Sequence, residues 1–205
     1  MNSDNIVDLV IFGARILTVD PDLGEIENGL LVIHQGRLLQ VTDYDSKVAL
    51  PKARRTLNLS GRVITPGFVN VHTHTILTMV RGVAEDMGFA PAYTPGVPHG
   101  HEVTEEEAVA LARLGAAEAL LFGSTLINDS YVHAIHTLPA MGELGMRVHA
   151  CGRVHDVDFS RVHEGIWEHH DAIGDERIRE TIELYDRWHN KMNGRLRTEV
   201  SLHAP

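Results

Sequence analysis

Two textures divide the chain. Up to about Ile64 it is built of short apolar, β-branched runs broken by turn residues, the signature of strands. "DLVIFGARILTVD" predicts a strand with a Gly-Ala break. "GLLVIHQGRLLQV" predicts a hairpin, Leu30 to His34 and Arg37 to Val41 around a Gln-Gly turn. "RTLNLSGRVITPGFVNVHTH" adds two further runs around Ser60-Gly61. From Pro66 onward, apolar runs alternate with helical periodicity. "GFVNVH" is nearly continuously apolar, as expected of a strand buried on both faces. "TEEEAVALARLGAAEALLFG" predicts a helix opened by a Thr104/Glu107 capping box and stopped at Gly123. "STLINDS" predicts a second strand, His133 to Leu144 a shorter helix, and "MRVHACGRVHD" a third strand. "DERIRETIELYDRWHNKMNG" predicts a helix with Ile178, Ile182, Tyr185 and Met192 on its apolar stripe and Gly194 at its end. "RTEVSLHAP" predicts a fourth strand.

The resulting order is β-α-β-α-β-α-β, a parallel βαβ architecture. Four such strands make half of an eight-stranded barrel, whose chemistry sits at the strands' C-terminal ends. The expected fold class is α/β: N-terminal strands of a β-sandwich domain over residues 1–64, then the first half of a (β/α)8 barrel over 65–205. Each predicted barrel strand delivers polar groups to one rim: His72 and His74, Asn128 and Asp129, Arg153 to Asp156, and His203. A half barrel is expected to leave two parallel-sheet edges and an apolar interior open.

Composition narrows the classes. Over 205 residues the formal net charge is -10, which argues against nucleic acid as a partner. The lone cysteine, Cys151, fits a reducing cytoplasm. The start "MNSDNIVDLV" has no basic n-region, and no apolar run reaches membrane-spanning length.

The chemistry starts with His72 and His74. Residues i and i+2 of a strand share a face, so the two imidazoles converge and make half of a divalent metal site. An isolated H-x-H favours a hydrogen-bonded strand-end pair; the polar rim reverses that preference. His99 and His101 share the spacing but lie in Gly/Pro-rich sequence and are expected to be solvated loop histidines. His133, His136, His169 and His170 are expected on helix surfaces.

"ITPGFVNVHTH" resembles the opening strand of the amidohydrolase superfamily. "TMVRGVAEDM", "GSTLINDSY", "GMRVHACGR" and "ELYDRWHNKMNGRLRTEVSLHAP" are similar, in order, to the branch of S-adenosylhomocysteine and methylthioadenosine deaminases and triazine hydrolases. The resemblance implies a metal-dependent hydrolase that deaminates a purine-, pyrimidine- or triazine-like amine. It implies His72 and His74 as metal ligands, His203 as a substrate contact, and Arg153 as a residue facing the substrate, with a rim salt bridge as the alternative for Arg153. One divalent metal is implied, because His203 stands where binuclear members carry a bridging lysine. Zinc suits imidazole and carboxylate ligands, and iron fits as well. The branch's third metal histidine, catalytic glutamate and metal aspartate belong to later strands and are not within these 205 residues. This chain alone is therefore expected to be inactive, with a complementary C-terminal half or a homo-oligomer as partner. The alternatives are a non-catalytic remnant that binds a ligand or partner, and a phosphoester hydrolase, against which the absent lysine weighs. The ribose-binding members' glutamate and tryptophan have no counterpart in "GFAPAYTPGVPHGHEV", and the loop Met87 to His101 is expected to act as a substrate lid.

Overall fold

A computed structural model of the chain describes residues 6–83, 100 and 102–202. It divides into two compact units, Met1–Pro66 and Gly67–Pro205.

The first unit is a twisted sheet of β1 (Val7–Leu17), β2 (Glu25–His34), β3 (Arg37–Asp43), β4 (Ala53–Asn58) and β5 (Val63–Ile64). The order is β3-β2-β1-β4, with β5 also on β1. β2 and β3 form the expected hairpin. Gln35 and Gly36 both take positive φ, 50° and 72°, which matches the turn to the strands' right-handed twist. Alternation along the strands gives both faces a core: Val10, Leu30 and Val32 on one, Ile16, Ile26 and Leu31 on the other.

The second unit carries four parallel strands: β6 (Phe68–Thr73), β7 (Ser124–Asp129), β8 (Arg147–Val154) and, after a short hairpin of β9 (Val157–Asp158) and β10 (Glu168–His169), β11 (Leu196–Leu202). Their spatial order is β11-β8-β7-β6. Helices α1 (Glu105–Leu121), α2 (Ala134–Glu143) and α3 (Asp171–Trp188) cross between them. Ile127, Val148, Ala150 and Leu196 bury one sheet face against Ala108, Ala112 and Ala116 of α1, Leu138 and Met141 of α2, and Leu184 of α3. The alanine stripe lets α1 approach closely. Its N-terminus has the capping box expected, with Thr104 Oγ1 accepting from Glu107 N and Glu107 reaching back to Thr104 N at 2.8 Å.

Pro139 inside α2 removes the amide that would bond the Ile135 carbonyl. Trp188 Nε1 at the end of α3 donates to that carbonyl at 2.9 Å, so the side chain of one helix repairs the ladder of another.

Three expectations are corrected. α3 starts at Asp171 and ends at Trp188, and beyond it Met192 and Asn193 take left-handed dihedrals. Its expected core stripe is exposed: Ile178 47%, Ile182 56% and Tyr185 55%, while Thr181 and Leu184 face the sheet. β6 is not buried on both faces: it is an edge strand, with Phe68, Val69 and Val71 exposed. The open sheet face is not purely apolar. His149 pairs with Glu199, Cys151 Sγ donates to Asn128 Oδ1 at 3.1 Å, and Asn128 Nδ2 lies 3.5 Å from Glu199. Among the described residues no helix is long and apolar enough to cross a membrane.

Candidate active site

Among the described residues, polar side chains stand at the ends of β6, β7 and β8. On β6, Asn70 pairs with Ile127 and Thr73 with Asp129, so three residues of β6 span two of β7. This bulge changes which residues of β6 face inward. Asn70 and Thr73 both lie on the helix side, and His72 and His74 both turn to the open face. Asn70 Oδ1 accepts the His72 amide at 3.2 Å. The two imidazole centroids lie 4.8 Å apart at 69°.

From this pair a continuous line of rings crosses the rim. His74 lies 4.7 Å from the Tyr131 ring, which follows β7. The Arg153 guanidinium, at the end of β8, sits 5.3 Å from the Tyr131 centroid and 5.9 Å from that of Phe159. Phe159 in turn meets His155 at 4.7 Å. Tyr131, Arg153, His155 and Phe159 line a cavity of about 990 Å³ that runs along α3 to Glu180.

Electrostatics keep His74 neutral. Burial, the His72 ring and the Arg153 charge push its pKa down to about 4. Its Nδ1 is buried and has no hydrogen-bond partner among the described residues. A neutral imidazole with an unclaimed ring nitrogen beside a second imidazole fits a divalent metal. Among the described residues the pair belongs to no group of three His, Cys, Asp or Glu side chains with ligand atoms within 4.8 Å of one another. The one such group, Asp158, Glu168 and His170, lies on the β9–β10 hairpin. There Asp158 caps the Ser160 amide and Glu168 pairs with Arg161.

His203, His99 and His101 lie outside the described residues, as does all of the predicted lid from Met87 to His101 except Gly100. Asp156 is engaged with His169 at 2.9 Å. His133 is more than a helix-surface group: its Nε2 lies 3.2 Å from the Gly100 carbonyl, and it lines the cavity. Sequence reasoning missed Tyr131 and Phe159; an aromatic shortly past a strand end, two residues after β7 and five after β8, was the available signal.

The amidohydrolase family profile matches residues 63–205, and the chain belongs to that family. The chain is 29% identical over 199 residues to a 5'-deoxyadenosine deaminase of Methanococcoides burtonii, covering 97% of this chain and 42% of that protein. It is 31% identical to a 5-methylthioadenosine/S-adenosylhomocysteine deaminase of Symbiobacterium thermophilum, covering 96% and 43%. Among solved structures it superposes on a zinc-bound adenosine deaminase from Xanthomonas campestris with a TM-score of 0.78, at 23% identity over 98% of this chain and 44% of that one. The zinc complex of an atrazine chlorohydrolase from Arthrobacter aurescens gives 0.64, at 20% identity over 94% and 46%. The chain thus spans less than half the length of these relatives, and its fold is the N-terminal strands and first half-barrel of an amidohydrolase.

Proposed function

We propose that these 205 residues form the N-terminal half, with the first two metal ligands, of an amidohydrolase that hydrolyses C–N bonds, deaminating a purine-, pyrimidine- or triazine-like amine. The observation that carries this is the pair His72/His74, with ring centroids 4.8 Å apart and His74 neutral, set 4.7 Å from Tyr131, which lines the cavity. His72 and His74 hold one divalent metal, with zinc favoured by the imidazole donors and by the zinc in the superposed adenosine deaminase. When bound, it supplies Lewis acidity, which makes water nucleophilic near neutral pH. The chain's own residues do the positioning. Tyr131, already against His74, offers an aromatic face to a planar heterocycle. Arg153, bracketed by Tyr131 and Phe159, is aimed by those rings at the cavity as a donor to the substrate. His203, one residue past β11, contacts the substrate ring.

Residues 1–64 are the N-terminal part of the β-sandwich domain and 65–205 the barrel half. The other barrel strands lie outside these residues, in a continuation of the chain, a complementary half or a further copy. This is supported by both edge strands, β6 and β11, which expose Val69, Val71, Val200 and Leu202. The lone cysteine supports a cytoplasmic location. The test is zinc content and ammonia release from adenosine-, guanine- and triazine-type amines by protein in which the barrel is complete. Replacing both His72 and His74 by alanine removes metal and activity together; full zinc retention by that variant sinks the assignment.

A further inference from the structure

We propose that Asp129 is a positioning residue for the cation held by His72 and His74, an inference that rests on the metal reading of that pair. Asp129 ends β7 and is the backbone partner of Thr73, the residue between the two histidines. Its side chain reaches the next turn of chain. Oδ2 accepts the Thr75 amide at 3.3 Å and the Thr75 hydroxyl. Thr75 directly follows His74 and is itself 3% exposed, with its hydroxyl also 3.5 Å from Met141 Sδ. The carboxylate therefore grips the backbone at the point where the ligand strand turns away.

That grip accounts for one carboxylate oxygen. Asp129 is 4% exposed, and Oδ1 has no hydrogen-bond partner among the described residues. A buried carboxylate with an unsatisfied oxygen is costly, and an asparagine could accept the same Thr75 bonds without the charge. What the amide lacks is negative charge. Positive charge at His72 acts favourably on this carboxylate, and a cation on the neutral His72 and His74 would place its charge at the same spot. The carboxylate is read as a support and not as a third ligand: Oδ2 is taken by Thr75, and among the described residues Asp129, His72 and His74 are not a group with all ligand atoms within 4.8 Å of one another. It is a fixed counter-charge one layer behind the imidazoles, joined to them through Thr75 and the Thr73 pairing. Outer-layer partners of this kind hold first ligands in place and typically change metal affinity 10–100-fold when lost.

The test is a zinc titration of protein in which the barrel is complete, followed by the ring-nitrogen NMR signals of His72 and His74. Wild-type chain should show saturable shifts, and Asp129→Asn should bind zinc about 10–100-fold more weakly. A merely structural Asp129 would not behave this way, because asparagine keeps the Thr75 bonds; the metal-free variant should melt at or above the wild-type temperature. Equal zinc affinity in Asp129→Asn overturns the proposal while leaving the histidine pair as the metal site. If that variant does not fold, Thr75→Val decides: it keeps the charge but loses the hydroxyl grip, and unchanged affinity there overturns the positioning role. If the complete-barrel wild type shows no saturable shift up to millimolar zinc, the metal reading itself fails and this inference with it.

Discussion

Gly115 lies in the interior of α1, where alanine ordinarily gains about 1 kcal/mol over glycine through helix propensity. Here the expected sign is reversed. A β-carbon at Gly115 would lie 2.7 Å from the Thr75 carbonyl oxygen, 2.9 Å from its Cβ and 3.0 Å from its Cα. Two of these three neighbours are backbone atoms, and Thr75 is held from the other side by Asp129, so no rotamer change relieves the contact. Overpacking of this kind costs about 1–3 kcal/mol, and a neighbour that cannot yield places the cost toward the upper end. Subtracting the propensity gain leaves Gly115→Ala destabilised by about 1–2 kcal/mol. For a chain of this size that lowers the melting temperature by roughly 3–8 °C. Circular dichroism at a helical wavelength isolates the relevant unit, because α1, α2 and α3 all belong to residues 67–205. The neighbouring Leu114, 52% exposed, supplies the control: Leu114→Ala should change stability little. A Gly115→Ala chain that melts at or above wild type would refute the close approach of α1 to the turn at Thr75.

Four other outcomes follow from single contacts. Trp188→Phe leaves the Ile135 carbonyl opposite Pro139 without its donor and should cost about 1–3 kcal/mol in urea denaturation; an unchanged midpoint would mean water takes over the bond. Thr104→Ala breaks the capping box of α1 and should cost about 1 kcal/mol, read as a lower melting temperature. Gly152→Ala places a β-carbon 2.0 Å from Thr181 Oγ1; it should weaken packing of α3 on β8, less severely if Thr181 is replaced by serine or alanine as well. For Asp129, burial raises the carboxyl to about 6, so the folded metal-free chain binds its proton more tightly than the unfolded chain does. Stability should therefore fall as pH rises from about 4 to about 6, by at most ~3 kcal/mol, and Asp129→Asn should flatten that slope in pH-dependent denaturation.

The alternation of strands and helices was legible because each element carries its own local signal. The capping box, the Gln-Gly turn and the H-x-H pair are all read from neighbours in sequence. The misread features depend on what lies across the fold. Ile178, Ile182 and Tyr185 make a regular stripe, yet helical periodicity does not say which stripe meets the sheet. Thr181 takes that place because Gly152 lets α3 come close, a fact held jointly by two distant residues. The inward polar set was hidden for the same reason. His149 and Glu199 lie fifty residues apart and meet only through the β8–β11 register, in which Arg197 pairs with His149 and Glu199 with Cys151. Tyr131 and Phe159 could have been marked as rim aromatics, but their bracketing of Arg153 requires the hairpin that follows β8.

The bulge in β6 joins these observations. A strand with strict alternation would place Asn70, His72 and His74 on one face, and because Asn70 packs on the helix side beside Ile127, it would turn both imidazoles into the helix layer. Inserting one residue between Asn70 and Thr73 keeps Asn70 against the helices and sends His72 and His74 to the open face. The insertion leaves a local kink that must be held. Asn70 does so from below by accepting the His72 amide, and Asp129 does so from above through Thr75. Gly115 lets α1 close over the same turn. The histidine pair is therefore fixed by two polar side chains and one missing side chain, all on the helix side of the strand. The opposite strand face is left to the imidazoles, and the Tyr131 ring meets His74 beyond the strand end. Support and chemistry thus lie on opposite faces of one strand end.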